Sequence, residues 1–279
     1  MFADVVKSAL KLYSKTIHPF VPRSAKPILR VAYQKLLGRT MERNAAEDIY
    51  RFYSGIGIIE KGDLVFDIGA NRGAFAEAFL RLGARVVCVE PDPRCIEMLK
   101  KKFGSNERVA IVEAGLGEKE GQLALEMGVT DGNATFSQEF KKLETEHYSG
   151  DYVHNVKARI TTLDKLIEKH GSPKYCKIDV EGFELQVFQG LSKKISMVSY
   201  EFHREALDEA KSCAKLLGAL GKTEFNYTHY DPSKPVFSHE WMDYNKLFKT
   251  IENEKKEKII AHTGDINTYR VGDIFVKVS

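Results

Sequence analysis

From residue 63 onward, short apolar runs alternate with amphipathic stretches of helical period. Leu64-Val65-Phe66 ends in Asp67 and a glycine turn, and residues 74–82 then place Phe75, Phe79 and Leu82 on one face, with Gly83 as a stop. The alternation continues with a strand at Arg85–Val89, a helix at Pro93–Phe103 and a strand at Val109–Glu113. It resumes with a strand at Tyr175–Val180, a helix at about 183–189, a strand at Ile195–Glu201 and a helix at about 205–219. Glu224–Tyr230 and Ile274–Val278 close the series. Apolar strands separated by helices predict an α/β fold, a parallel sheet with helices on both faces. Gln122–Met127 and Val153–Ile160 read as an inserted hairpin at about 120–160, joined by a polar loop over 128–151, with a short helix at Thr162–His170 after it. Ligands of open α/β sheets bind beyond the carboxyl ends of the strands, and the motifs below fall at such ends.

Composition narrows the class. The chain has 279 residues, of which 43% are hydrophobic, enough for a substantial core and too many for a disordered chain. No run approaches the roughly 18 apolar residues of a membrane span, and the first twenty residues lack a signal-peptide pattern. Cys88, Cys95, Cys176 and Cys213 stand alone, with no CxxC pair to suggest zinc or a redox dithiol. A cytoplasmic enzyme is the expectation. Charge is uneven: residues 1–43 hold nine Lys/Arg against two acids, a net +7, which leaves −4 for the rest. Val5, Val6, Ala9, Leu10, Tyr13 and Ile17 recur at helical spacing opposite Lys7, Lys11 and Lys15, before Pro19, Pro22 and Pro27. Residues 1–55 are therefore expected to form a basic helical extension on a domain spanning 56–279. The extension suits a cap on the core or a weak contact with a membrane surface; nucleic acid is not expected, and the oligomeric state stays open.

The glycine turn runs Asp67-Ile68-Gly69-Ala70-Asn71-Arg72-Gly73. Gly69 and Gly73 permit a tight strand-to-helix turn. Asn71 stands where a dinucleotide site has the glycine that admits a pyrophosphate, which argues against a nicotinamide or flavin oxidoreductase. Asp67 would face the turn, a poor neighbour for phosphate and a good one for an ammonium group. Glu90 ends the next strand, 23 residues on, where a carboxylate can accept from two ribose hydroxyls. A ligand with a ribose and a cation but no phosphate at the turn fits S-adenosylmethionine.

The fourth strand runs into Lys177-Ile178-Asp179-Val180-Glu181-Gly182-Phe183-Glu184. Strand alternation places Lys177, Asp179 and Glu181 on one face. With Val65–Phe75, Val89-Glu90-Pro91-Asp92, Thr162-Leu163-Asp164 and Glu201-Phe202-His203, this stretch resembles the FkbM family of S-adenosylmethionine-dependent methyltransferases over roughly residues 60–203. The resemblance implies a class I methyltransferase fold, Rossmann-like, with a seven-stranded sheet ending in an antiparallel hairpin supplied by 224–230 and 274–278. It also implies O-methylation of a sugar, lipid-linked glycan or secondary metabolite.

The expected donor site comprises Asp67, Gly69, Asn71, Gly73, Glu90, Pro91, Asp92, Gly115 and Leu116, with the Glu113–Gly117 stretch beside the adenine. Gly132-Asn133-Ala134-Thr135-Phe136 is expected over the donor. A hydroxyl acceptor must lose a proton, and Asp179, Glu181 and His203 are the candidates for that work. The same three side chains leave a divalent cation open. The alternative functions are a non-catalytic binding or scaffold protein and an NAD-dependent oxidoreductase. The acceptor, a small molecule or glycan, is not identified by the sequence.

Overall fold

The structure, a computed structural model, describes residues 46–129, 133–147, 152–228, 237, 240–254 and 271–279. The expected amphipathic segment and the proline-rich stretch of the basic arm lie outside the described residues, as do Gly132 and Tyr230. Helix α1 covers 46–56 and is followed by β1 (Leu64–Ile68), α2 (Ala74–Arg81), β2 (Arg85–Glu90), α3 (Pro93–Phe103), β3 (Val109–Glu113) and β4 (Gly115–Leu116). Next come β5 (Gly121–Gly128), β6 (Ala134–Thr135), α4 (Gln138–His147), β7 (Tyr152–Thr161), α5 (Leu163–His170), β8 (Tyr175–Ile178) and α6 (Glu184–Gln189). The chain closes with β9 (Met197–His203), a 3₁₀ turn at Arg204–Ala206, α7 (Leu207–Gly218), β10 (Thr223–Thr228), α8 (Tyr244–Asn253) and β11 (Val271–Val278).

Seven strands form one sheet in the order β10-β11-β9-β8-β1-β2-β3, with β11 antiparallel to both neighbours. This is the class I methyltransferase sheet. The chain winds outward from β1 through β2 and β3, then returns to place β8 on the other side of β1. The loops after β1 and β8 therefore diverge, which opens a crevice at their carboxyl ends.

Both faces of β1 are buried because its residues alternate between two cores. Leu64, Phe66 and Ile68 pack with α5, α6, α7 and α8. Val65 packs on the other face with α2, α3 and α1, which supplies Ile49 and Tyr53. The Tyr53 hydroxyl shares a hydrogen bond with that of Tyr175 at 2.7 Å, which in turn meets Ser199 Oγ.

Three differences from the sequence reading have local causes. The 128–151 stretch, expected as a plain loop, contains β6 and α4, whose QEFKKLETEH sequence offers only Phe140 and Leu143 as an apolar pair. Helix α8 went unread despite Tyr244, Leu247, Phe248 and Ile251 on one face and an Asp243 cap that accepts from the Lys246 amide at 2.9 Å. Strand β8 stops at Ile178 because Asp179 and Val180 leave the ladder. The inserted hairpin pairs β5 with β7 antiparallel, and β7 also runs beside β4.

Candidate functional site

The turn after β1 is built around close backbone approach. The Gly69 and Ala70 amides both donate to the Val89 carbonyl, at 3.0 and 3.1 Å. Gly69 has φ 78°, and a Cβ there would collide with the Asp179 carbonyl oxygen. Only glycine lets the β1 and β8 turns lie against one another here. Asn71 is also left-handed, at φ 48°, a conformation asparagine tolerates better than most residues. Its amide donates to Glu90 Oε2 at 2.8 Å, and the Asp92 amide donates to Glu90 Oε1 at 2.8 Å. One lone-pair position per oxygen remains on a carboxylate already held in orientation. Burial pushes the Glu90 carboxyl up to about 7, with the two amides opposing.

Asp67 is fully buried, and neither of its oxygens has a hydrogen-bond partner among the described residues. Burial pushes it up to about 6, against the attraction of Lys177. Asp92 is placed differently. Its carboxylate caps α3 through the Arg94 amide at 2.8 Å and pairs with the Arg94 guanidinium at 2.7 Å, so it is spent on local structure. Pro91 lies on the rim of a neighbouring cavity, Gly73 opens α2, and Gly115 and Leu116 are buried, with Phe136 packed against Gly115.

On the other side of the crevice, Lys177 is 1% exposed and donates to Asp179 Oδ2 at 2.8 Å. Its ammonium sits 4.1 Å from the centre of the Phe75 ring. Burial alone would lower its pKa, but the charges of Asp179, Asp67 and Asp273 outweigh that and push it up. Asp273, opposite Glu201 in the β9–β11 ladder, is driven by burial up to about 7. Sequence reasoning placed Lys177 on the Asp179 face without a role and missed Asp273 altogether. No local motif marks Asp273; only the β11 pairing brings it near.

Glu181 has left the strand face that the sequence reading gave it, with φ 56°. Its carbonyl accepts from Thr135 Oγ1 at 2.7 Å, so the inserted segment grips the turn after β8. Phe140 packs against Gly182 in the same turn. Glu184 reaches back to accept from the Val180 amide at 2.9 Å, and burial with the nearby Glu201 charge pushes it up to about 8. His203 Nε2 lies 3.1 Å from Glu201 Oε2, whereas Nδ1 is buried without a hydrogen-bond partner among the described residues. Burial opposes protonation of His203, but the hydrogen bond and charge of Glu201 prevail, with Glu184 and Asp179 adding, and its pKa is raised. Among the described residues, no three His, Cys, Asp or Glu side chains are grouped to hold a metal ion.

The structure thus brings Asp67, Gly69, Asn71 and Glu90 together on one side, and Asp179 and His203 on the other. A family model described as the methyltransferase FkbM domain matches residues 67–241, more than half of the chain. The chain belongs to the FkbM methyltransferase family. It is 32% identical to the 2-O-methyltransferase NoeI of Sinorhizobium fredii over 82 residues, 28% of this chain and 34% of that protein. To the hexuronic acid methyltransferase AglP of Haloferax volcanii it is 27% identical over 164 residues, 57% of this chain and 62% of that protein. It is also 25% identical over 80 residues to a chloroplastic ribosomal RNA small subunit methyltransferase of Arabidopsis thaliana, 29% of this chain and 23% of that protein. The chain thus spans less than two thirds of the length of these curated relatives. Among solved structures, it is similar to a TehB-like SAM-dependent methyltransferase from Corynebacterium glutamicum, with a TM-score of 0.43 and 9% identity over 89% of this chain and 99% of that one.

S-adenosylmethionine is the cofactor that goes with this family, and the β1–β2 side suits it. Glu90 is oriented for a ribose, Asp67 is a buried carboxylate with no hydrogen-bond partner among the described residues and suits a cationic group, and Gly69 lets the turn after β8 close against the turn after β1. No helix among the described residues is long and apolar enough to cross a membrane.

Proposed function

We propose that this chain transfers a methyl group from S-adenosylmethionine to a hydroxyl oxygen of a sugar or glycan-bearing acceptor. The observation that carries the reading is the Glu201–His203 pair beside the Lys177–Asp179 pair at the switch point of the sheet. An ionised Glu201 can only accept, so it fixes a proton on His203 Nε2 and leaves the Nδ1 lone pair to take one. Bound S-adenosylmethionine supplies an already activated methyl group. The protein's work is then to align the acceptor oxygen, exclude water and receive one proton.

His203 Nδ1 receives it. Asp179, whose side chain is 29% exposed while that of its partner Lys177 is 1% exposed, is the carboxylate within reach of the acceptor, and Lys177 fixes its orientation. Glu181 contributes through its backbone, which Thr135 holds. The names of NoeI and AglP support an oxygen and a sugar acid as acceptors in those relatives.

The test is S-adenosylhomocysteine release from the full chain, screened against methyl glycosides and glycolipids, with calorimetric binding of S-adenosylhomocysteine alongside. Methyl transfer to oxygen that needs His203 is the expected result. Transfer to nitrogen or carbon, or failure to bind S-adenosylhomocysteine, would overturn the reading.

A further inference from the structure

Beside His203 lies a cavity of about 190 Å³, walled by α4 of the insertion, the turn after β8, the end of β9 and the start of α7. Five carboxylic acids line it: Glu139, Glu184, Glu201, Glu205 and Glu209, each from a different turn or element. No lysine or arginine is among the described lining residues. His203, whose buried Nδ1 has no hydrogen-bond partner among the described residues, completes the polar wall. Phe140 and Leu143 from α4 give an apolar patch. The five acids do not converge on a cation, since no three metal-ligating side chains are grouped among the described residues. They are spread around an opening that is small beside the roughly 300–1,000 Å³ of sites enclosing drug-sized ligands.

Resting on the methyl-transfer reading above, we propose that this cavity is the acceptor subsite and takes one sugar ring that is hydroxyl-rich and carries no acidic group, either neutral or amino-bearing. A carboxylate accepts hydrogen bonds from ring hydroxyls or an ammonium, and a protonated carboxyl can also donate one. Both forms are present here. Burial pushes Glu184 up to about 8, so that carboxyl keeps its proton at neutral pH and can donate, and burial also raises Glu201 and Glu209 from the ordinary value. A uronate or phosphosugar entering the same space would add a like charge to a wall of five acids with no lysine or arginine among the described lining residues, in a medium where such repulsion is poorly screened. The acids therefore act as a filter by charge. This acceptor class departs from the hexuronic acid in the name of AglP. The apolar patch suits the carbon face of a ring, and its location on α4 makes the insertion a specificity element.

The experiment loads the full chain with S-adenosylhomocysteine and measures binding of methyl glucosaminide, methyl glucoside and methyl glucuronide by saturation-transfer NMR titration. The first two are expected to bind at least about tenfold tighter than the glucuronide. Glu139 is exposed, so E139K should fold and narrow the preference against the glucuronide by at least about threefold, as one like charge becomes an attractive one. Equal or tighter binding of the glucuronide to the wild type overturns the proposal, as does an unchanged preference in E139K. S-adenosylhomocysteine binding with no sugar binding overturns the acceptor assignment and leaves the methyl-donor reading standing. Loss of S-adenosylhomocysteine binding removes both.

Discussion

The two sides of the crevice hold their acids in different ways. On the β1–β2 side, Glu90 is gripped by the Asn71 and Asp92 amides, and Asp92 by the Arg94 amide and guanidinium. Asp67 is the exception there, buried without a hydrogen-bond partner among the described residues. On the β8–β9–β11 side, Asp179, Glu201 and Asp273 come from three separate segments, and the buried ammonium of Lys177 attracts all three as well as Asp67 across the crevice. Backbone amides and a local ion pair make a rigid cradle on the first side. Side chains gathered by tertiary contacts make a strained electrostatic cluster whose members depend on one another. The first arrangement suits binding of one constant donor, and the second suits chemistry and selection of the acceptor.

This contrast is broken most directly at His203. His203→Asn should lower turnover about 100- to 10,000-fold, the usual span for removing a general base, while S-adenosylhomocysteine affinity stays near that of the wild type. The wild-type profile of kcat/KM against pH should rise through a pKa above the ordinary value of about 6.5, because the base works only when deprotonated. Asp179→Asn should cost turnover yet keep that acidic limb. Loss of the limb in Asp179→Asn, with its retention in His203→Asn, would exchange the two roles.

Lys177→Met sharpens the comparison through stability. Removing one partner of a buried ion pair typically costs about 3–5 kcal/mol, and the partial exposure of Asp179 favours the lower end. At about 2–4 °C per kcal/mol for a chain of this size class, the thermal midpoint should fall by roughly 6–12 °C. Asp273→Asn in the Lys177→Met background should recover part of that loss, since it removes one carboxylate from a cluster left without its cation. If the double variant is no more stable than the single, Asp273 and Lys177 are not electrostatically linked.

On the donor side, Glu90→Ala should weaken S-adenosylhomocysteine binding by about 1–3 kcal/mol, roughly 5- to 150-fold. A folded Glu90→Ala protein with wild-type affinity would remove Glu90 from the ribose site. Asp92→Asn should act differently, disturbing the α3 cap and affecting stability more than affinity, since its oxygens face Arg94.

The same division explains what could be read in advance. The sheet and its hairpin were legible because each strand is a short apolar run with glycine or an acid at its end. The β1 turn and Glu90 were legible because the chemistry is local: a left-handed turn and a carboxylate a fixed distance along the chain. Lys177 with Asp273 was not, because Asp273 lies just outside the strand expected at Ile274–Val278 and only the β9–β11 register sets it opposite Glu201 and near Lys177. Asp92 and Asp164 show the opposite difficulty. Both sit in motif-like stretches, yet Asp92 caps a helix and Asp164 accepts from the Ser192 and Lys193 amides and the Ser192 hydroxyl. Helix α4 was hidden by its own polarity, although it carries the wall of the acceptor cavity.

The smallest expected effect is a dependence of stability on pH. Glu184 is held in the folded chain at about 8, chiefly by burial, against an ordinary value of 4.5. Asp273 and Glu90 are both held at about 7, against 3.8 and 4.5. Between the ordinary and the raised values, the folded chain binds more protons than the unfolded one. Stability therefore falls as pH rises through that window, and the slope flattens once the folded-state groups have also ionised. In the absence of donor, the thermal midpoint should be higher at pH 6 than at pH 8. Glu184→Gln should flatten this slope, because an amide oxygen can still accept from the Val180 amide but has no proton to lose. Glu90→Gln should flatten it over the lower part of the window only, consistent with its lower folded-state value. A midpoint that rises from pH 6 to pH 8 would mean that Lys177 compensates the acids of both sides more fully than their burial penalises them, and the contrast between a locally fixed cradle and a charge-coupled cluster would fail.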